Sequence, residues 1–172
     1  VGQGGDGGFY LMHNRGIPGS QGHVLSRADL DVSGGDGSSG GHGGLIQVYG
    51  SGRAEVVGTV TTLGGSGGAG SGGHGASPYS RSIRGRTIYP DFGHTIAGTD
   101  TLVDGSLDLS GGAGFDGGEG GNLLVVSTGG GDLPADITAD GGAASEGLGG
   151  HGGCLFLASL GDFTVSTGTL SS

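Results

Sequence analysis

Asp29-Leu30-Asp31-Val32-Ser33-Gly34-Gly35 decides the reading of this chain, because it returns thirty residues later as Thr59-Val60-Thr61-Thr62-Leu63-Gly64-Gly65. It returns again as Ser106-Leu107-Asp108-Leu109-Ser110-Gly111-Gly112, and thirty residues on as Asp136-Ile137-Thr138-Ala139-Asp140-Gly141-Gly142. A truncated copy, Ser166-Thr167-Gly168-Thr169-Leu170-Ser171-Ser172, is expected a further thirty residues on. The second position of each full copy is aliphatic (Leu30, Val60, Leu107, Ile137), and its neighbours are Asp, Thr or Ser. Alternation with period two is a strand with one face inward, so these four residues form the expected core ladder. A fixed period in this range signals stacked units, none of which buries its core alone. The reading is all-β: a single-domain parallel β-helix over 1–172, about five coils of some thirty residues, with glycine-rich bridges and one inserted arm.

Each full copy runs into a bridge such as Gly34-Gly35-Asp36-Gly37-Ser38-Ser39-Gly40-Gly41-His42-Gly43-Gly44, where glycine permits tight turns and close backbone approach. Apolar runs follow most bridges: Leu45-Ile46-Gln47-Val48-Tyr49, Leu123-Leu124-Val125-Val126 and Cys154-Leu155-Phe156-Leu157. Their inward positions are expected to be Tyr10, Ile46, Leu123, Leu155, then Met12, Val48, Val125, Leu157. Phe9, Leu11, Leu124 and Phe156 make the other face apolar too, so the inserted arm or another chain should cover it. A third short strand per coil is expected around 54–57 and 163–165.

Glycine supplies 49 of the 172 residues, which without a period would read as disorder. Sixteen acidic residues face six arginines and no lysine, a formal charge of −10 that argues against nucleic acid or an anionic membrane as partner. The apolar runs are far too short for a membrane span. One cysteine, Cys154, excludes an intrachain disulfide and reads as a small buried or half-buried side chain.

The compound pattern (apolar alternation, Gly-Gly-x-Gly, a small-residue bridge, Gly-Gly-x-Gly-Gly, an aliphatic strand) resembles the glycine-rich right-handed β-helix repeats of large bacterial surface and secreted, adhesin-like proteins. The resemblance covers nearly the whole chain and implies an extracellular or cell-surface location. Residues 64–75 resemble the bundled polyglycine helices of some glycine-rich antifreeze and phage adhesin proteins, a scheme the apolar strands do not fit. Gly111-Gly112-Ala113-Gly114-Phe115-Asp116 matches the start of a calcium-binding nonapeptide repeat. It occurs once, and Gly118 stands where that repeat needs an aliphatic residue. No cofactor is therefore expected, with Ca2+ the only candidate.

Between Gly64 and Gly111 the step is 47 residues, and the excess falls in about 77–105. This arm carries Tyr79, Arg81, Arg84, Arg86, Tyr89 and His94, residue types that make contact hot spots, and insertions in repeats often lie on the binding face. The alternative is a packing flap held by arginines on the acidic body. Between paired glycines stand Asp6, His42, His74, Glu119 and His151, each a weak candidate metal ligand once coils stack, against the plainer reading as exposed turn residues. No nucleophile–base–acid motif is readable, and the outward column mixes Asp31 and Asp108 with Thr61 and Thr138, a poor catalytic pair.

By thirty-residue alignment Ser172 falls one residue short of the coil position of Val1, so end-to-end stacking of copies is expected. The function expected is that of a non-enzymatic extracellular structural or assembly protein, a head-to-tail filament subunit or adhesin segment. It would partner itself and an extracellular glycan or cell surface. The alternative is a carbohydrate-binding or carbohydrate-cleaving β-helix protein using the 79–94 arm.

Overall fold

The computed structural model describes residues 2–17, 20–75, 94–166 and 168–172. Its strands are β1 (Phe9–Asn14), β2 (Val24–Ser26), β3 (Leu30–Asp31), β4 (Leu45–Gly50), β5 (Arg53–Thr61), β6 (His94–Asp108), β7 (Leu123–Asp132), β8 (Asp136–Thr138), β9 (Leu155–Ser159), β10 (Phe163–Thr164) and β11 (Leu170–Ser171). Every pairing is parallel and joins successive coils, and no helix occurs among the described residues. The chain is a single-domain β-solenoid of about four turns.

Three strand columns enclose the core. β1, β4, β6, β7 and β9 stack in the first, so that Met12, Val48, Ile96, Val125 and Leu157 lie level. β2, β5, β6, β7 and β10 make the second, which includes the expected third strand at 54–57 and at 163–164. The third holds the expected ladder, Leu30–Val60–Leu107–Ile137, and extends it to Leu170. Val60, Leu107 and Ile137 are buried, each side chain contributing about 1.5–3 kcal/mol by leaving water. Between the second and third columns the chain turns at Gly58 and Gly105, which pair with each other at φ +124° and +115°. Side chains with a Cβ rarely adopt that conformation, so glycine is required.

The glycine bridges form a fourth wall, of extended non-β segments. In the returning limb 40–44, the N–H groups of Gly40 and Gly43 donate to Ser71 and His74 carbonyls one coil on, while those of Gly41 and Gly44 donate to Gly35 and Val32 in the outgoing limb. Direction thus repeats every three residues, the habit of an extended threefold helix, whose hydrogen bonds all go to neighbours. Two of three faces touch other backbone, and the third carries His42 outward. That is why the motif reads Gly-Gly-x-Gly-Gly. A Cβ on Gly41 would overlap the carbonyl of Gly5, and one on Gly118 that of Gly73. Apolar strands and polyglycine-like limbs, which the sequence set against each other, occupy different sides of one coil.

Four expectations need correction. Leu170, not Thr167, is level with Ile137, because the bridge 141–150 is two residues longer than 111–118 and the stretch 165–169 one residue longer than 133–136, which moves the last coil out of the thirty-residue step. Ser172 is consequently level with Val32, and Gly2 with Ser38, so the ends do not meet at one residue. The inserted arm does not extend to 105: β6 pairs β7 from His94 and β4 from Thr95, and 94–105 is a rung of the solenoid. Cys154 is exposed, on the rim of the last coil.

Candidate functional site

The outward residues of the returning limbs do form a line. The carboxylate of Asp6 accepts the backbone N–H of His42 at 2.9 Å. His42 Nδ1 accepts that of His74 at 3.1 Å, and His74 Nδ1 that of Glu119 at 3.0 Å. The His42 and His74 rings stack, centroids 4.8 Å apart and planes 7° off parallel. Burial, then the neighbouring His74, push the His42 pKa below its usual value, against an opposing pull from Asp6. An Nδ1 that accepts an N–H carries no proton, so each ring holds its proton on Nε2. Parallel rings aim their Nε2 atoms the same way and cannot converge on one ion at the about 2.0–2.1 Å of a zinc–imidazole bond. Among the described residues, no three His, Cys, Asp or Glu side chains group to hold a metal.

The column is instead part of a general device. Asp29 accepts the N–H of Thr59 at 2.8 Å, Asp36 that of Ser66 at 2.6 Å, Asp136 that of Thr169 at 2.7 Å, and Asn122 that of Cys154 at 2.9 Å. Asp116, in the calcium-repeat-like stretch, accepts the N–H of Leu148 at 3.0 Å. In each case a side chain in the earlier coil accepts from backbone in the later one. The acidic, amide and imidazole side chains thus satisfy backbone N–H groups of the coil that follows.

Of the six arm residues, Tyr79, Arg81, Arg84, Arg86 and Tyr89 lie outside the described residues, as does the expectation that the arm covers the apolar face. His94 is described, and it is not a surface group. It is 2% exposed and level with Leu123, filling an inward place between Ile46 and Leu123 in the first column. Nδ1 accepts the Ile46 N–H at 3.2 Å, and Nε2 lies 3.2 Å from Thr62 Oγ1 and 3.3 Å from the Gly75 carbonyl. Burial lowers its pKa to about 4, against the opposing bond to Gly75. Beside it on the outward side, Gln47, Thr95 and Leu124 are buried, whereas Leu11 and Phe156 at the two ends of their column are exposed.

Sequence reading missed Glu55. Its carboxylate is 3% exposed, held by Arg27 at 2.6 Å on Oε1 and Arg53 at 3.0 Å on Oε2. Strand alternation marks Glu55 as outward and gives no sign that two arginines roof it. An open groove of about 400 Å3 runs past the corner after the first column, lined by His13, Arg15, Tyr49, Ser51, Thr99 and Thr128 among others. Comparison of the chain with protein-family models, with curated proteins and with solved structures returned no match.

Proposed function

We propose that this chain is a non-enzymatic structural module of the extracellular or cell-surface space, whose function is to assemble end to end with its own copies. The supporting observation is the contrast between inner and terminal rungs of the same columns. Leu124 is 6% exposed but Phe156, level with it one coil on, is 42% exposed. Ile137 is 4% exposed but Leu170 is 52%. Phe9, in β1, is 46% exposed. Open parallel edges bearing apolar side chains are templates for further strands. The experiment is hydrodynamic: particle mass across a concentration series and at high salt, with electron microscopy of the product. Rods of uniform width that persist in salt are expected. A monodisperse 16.3 kDa species throughout would remove the reading.

A second reading, carbohydrate binding, is favoured by the groove alone, which Tyr49, Arg15, Ser51 and Thr99 help to line. Binding of acidic and neutral oligosaccharides by calorimetry, lost in Tyr49→Ala, would support it.

A further inference from the structure

The corner groove carries a pattern of donors and acceptors that specifies its ligand. We propose that it takes an acidic oligosaccharide, a hydroxyl-rich chain whose carboxylate sits on Arg15. This inference rests on the carbohydrate-binding reading above.

The groove lies on the flank of the stack and crosses four coils, so rung spacing gives it a length of about 14 Å. One side is the end of the first column, where His13, Tyr49, Ala97 and Val126 are level. The other is the corner that follows, with Arg15, Ser51, Thr99 and Thr128 on successive coils. On the first side the His13 and Tyr49 rings lie with centroids 5.9 Å apart, and the small residues Ala97 and Gly98 come next. An aromatic wall beside small residues suits the apolar face of a sugar ring.

The corner hydroxyls have their protons committed within the protein. Ser51 Oγ donates to the Arg15 carbonyl at 2.7 Å and accepts the Gly22 N–H at 2.8 Å. Thr99 Oγ1 donates to the Ser51 carbonyl at 2.9 Å. A hydroxyl has one proton, so both can offer a ligand lone pairs only. Such acceptors repel a carboxylate and receive the hydroxyl protons of a sugar. Arg15 is the converse, a donor that cannot accept. Its Nε–H donates to His13 Nε2 at 3.2 Å, which orients the guanidinium and leaves both terminal amino groups. Among the described residues Arg15 forms no ion pair, whereas Arg27 and Arg53 both hold Glu55. No carboxylate stands among the lining residues, although the chain carries a formal charge of −10. Asp100, next after Thr99, lies past the corner and level with Arg53. The groove thus offers a cation at one end and hydroxyl acceptors along its middle, which matches a polyhydroxyl chain bearing a carboxylate and fixes its direction. An extended peptide is a poorer match, because the strands along the groove are already paired between coils.

The test titrates uronic acid trimers of several linkages, each beside its uncharged methyl ester, into isotope-labelled protein. Binding is followed by NMR at the amides of Ser51, Ala97 and Thr99. At least one acid should bind there about tenfold more tightly than its ester, the effect of one charge-assisted hydrogen bond. The preference should shrink as salt is raised. Arg15→Gln should erase it with ester affinity unchanged, and should melt as the parent does, since it is the Arg15 carbonyl that holds the corner. Should that variant melt early, the acid-to-ester ratio of the parent and its salt dependence decide. Affinity for the acids no better than for the esters, or a preference that survives Arg15→Gln, would overturn this inference and leave the carbohydrate reading standing. A glutamate tripeptide that binds as tightly as the acids would overturn it too, since charge alone would then be read. Absence of binding by every acid and ester would overturn both.

Discussion

His94 Nδ1 accepts the backbone N–H of Ile46, one coil earlier, at 3.2 Å. Parallel ladders normally satisfy such a group with a carbonyl, and here an imidazole does so where the chain re-enters the stack. The arrangement requires neutral His94, and its pKa is near 4 instead of 6.5 because it is buried.

Stability should therefore depend on pH in a defined window. Between pH 6.5 and 4 the unfolded chain binds a proton at His94 that the folded chain refuses, so stability falls as pH drops through that range and is unaffected above it. The full loss is roughly 3 kcal/mol, at about 1.4 kcal/mol per pH unit. Urea unfolding at several pH values, parent against His94→Leu, isolates the contribution. Parallel pH profiles for the two proteins would refute it. At neutral pH the leucine variant should be weaker by about 1–3 kcal/mol, for the unsatisfied Ile46 N–H.

The ladder predicts a graded response along one column. Leu107→Ala, at an inner rung, should lower stability by about 2–5 kcal/mol. Leu30→Ala and Leu170→Ala, at the outer rungs, should lower it less, since both side chains retain contact with water. Leu107→Asp should lower it by several kcal/mol through an unpaired buried charge. Equal thermal shifts for the three alanine variants would contradict the column.

Glu55 and its arginines should behave asymmetrically. Arg27→Ala/Arg53→Ala leaves a buried carboxylate unpaired and should destabilise by about 3–5 kcal/mol, whereas Glu55→Leu removes the charge and should do much less harm. Denaturant midpoints of the two variants decide this, and a reversed order would refute it.

The glycine limbs should tolerate no side chain where backbone meets backbone. Gly118→Ala places a methyl group on the Gly73 carbonyl and should destabilise by at least the about 1–3 kcal/mol usual for overpacking. A variant that melts with the parent would mean that the limbs can separate without loss.

How much of this was legible can be argued from particular residues. The third column was readable because Leu30, Val60, Leu107 and Ile137 stand alone between polar neighbours, where period two leaves no ambiguity. The middle rung of the first column was not, because His94 stands where its neighbours carry Ile46 and Leu123. Burial of an imidazole depends on Thr62, Gly75 and Ile46 arriving from other coils. The Gly-Gly-x-Gly-Gly motif showed which residue faces out but not that its side chain accepts the next coil's N–H. Leu170 was misplaced because repeat length was taken as constant, whereas bridges change length without disturbing the ladders on either side. The arginine roof over Glu55 depends on which residues stack, and pattern alone does not carry that.

The bond between His94 and Gly75 has a practical consequence. Those two residues bracket 76–93, and Nε2 of one lies 3.3 Å from the carbonyl of the other. The body thus holds both ends of that segment together through its own coils, and each doubling of the chain between them adds only about 0.6 kcal/mol of closure entropy. The position is a socket for grafting: a foreign peptide or small domain whose termini lie close together should be carried there on a rod that neither end of the graft has to stabilise.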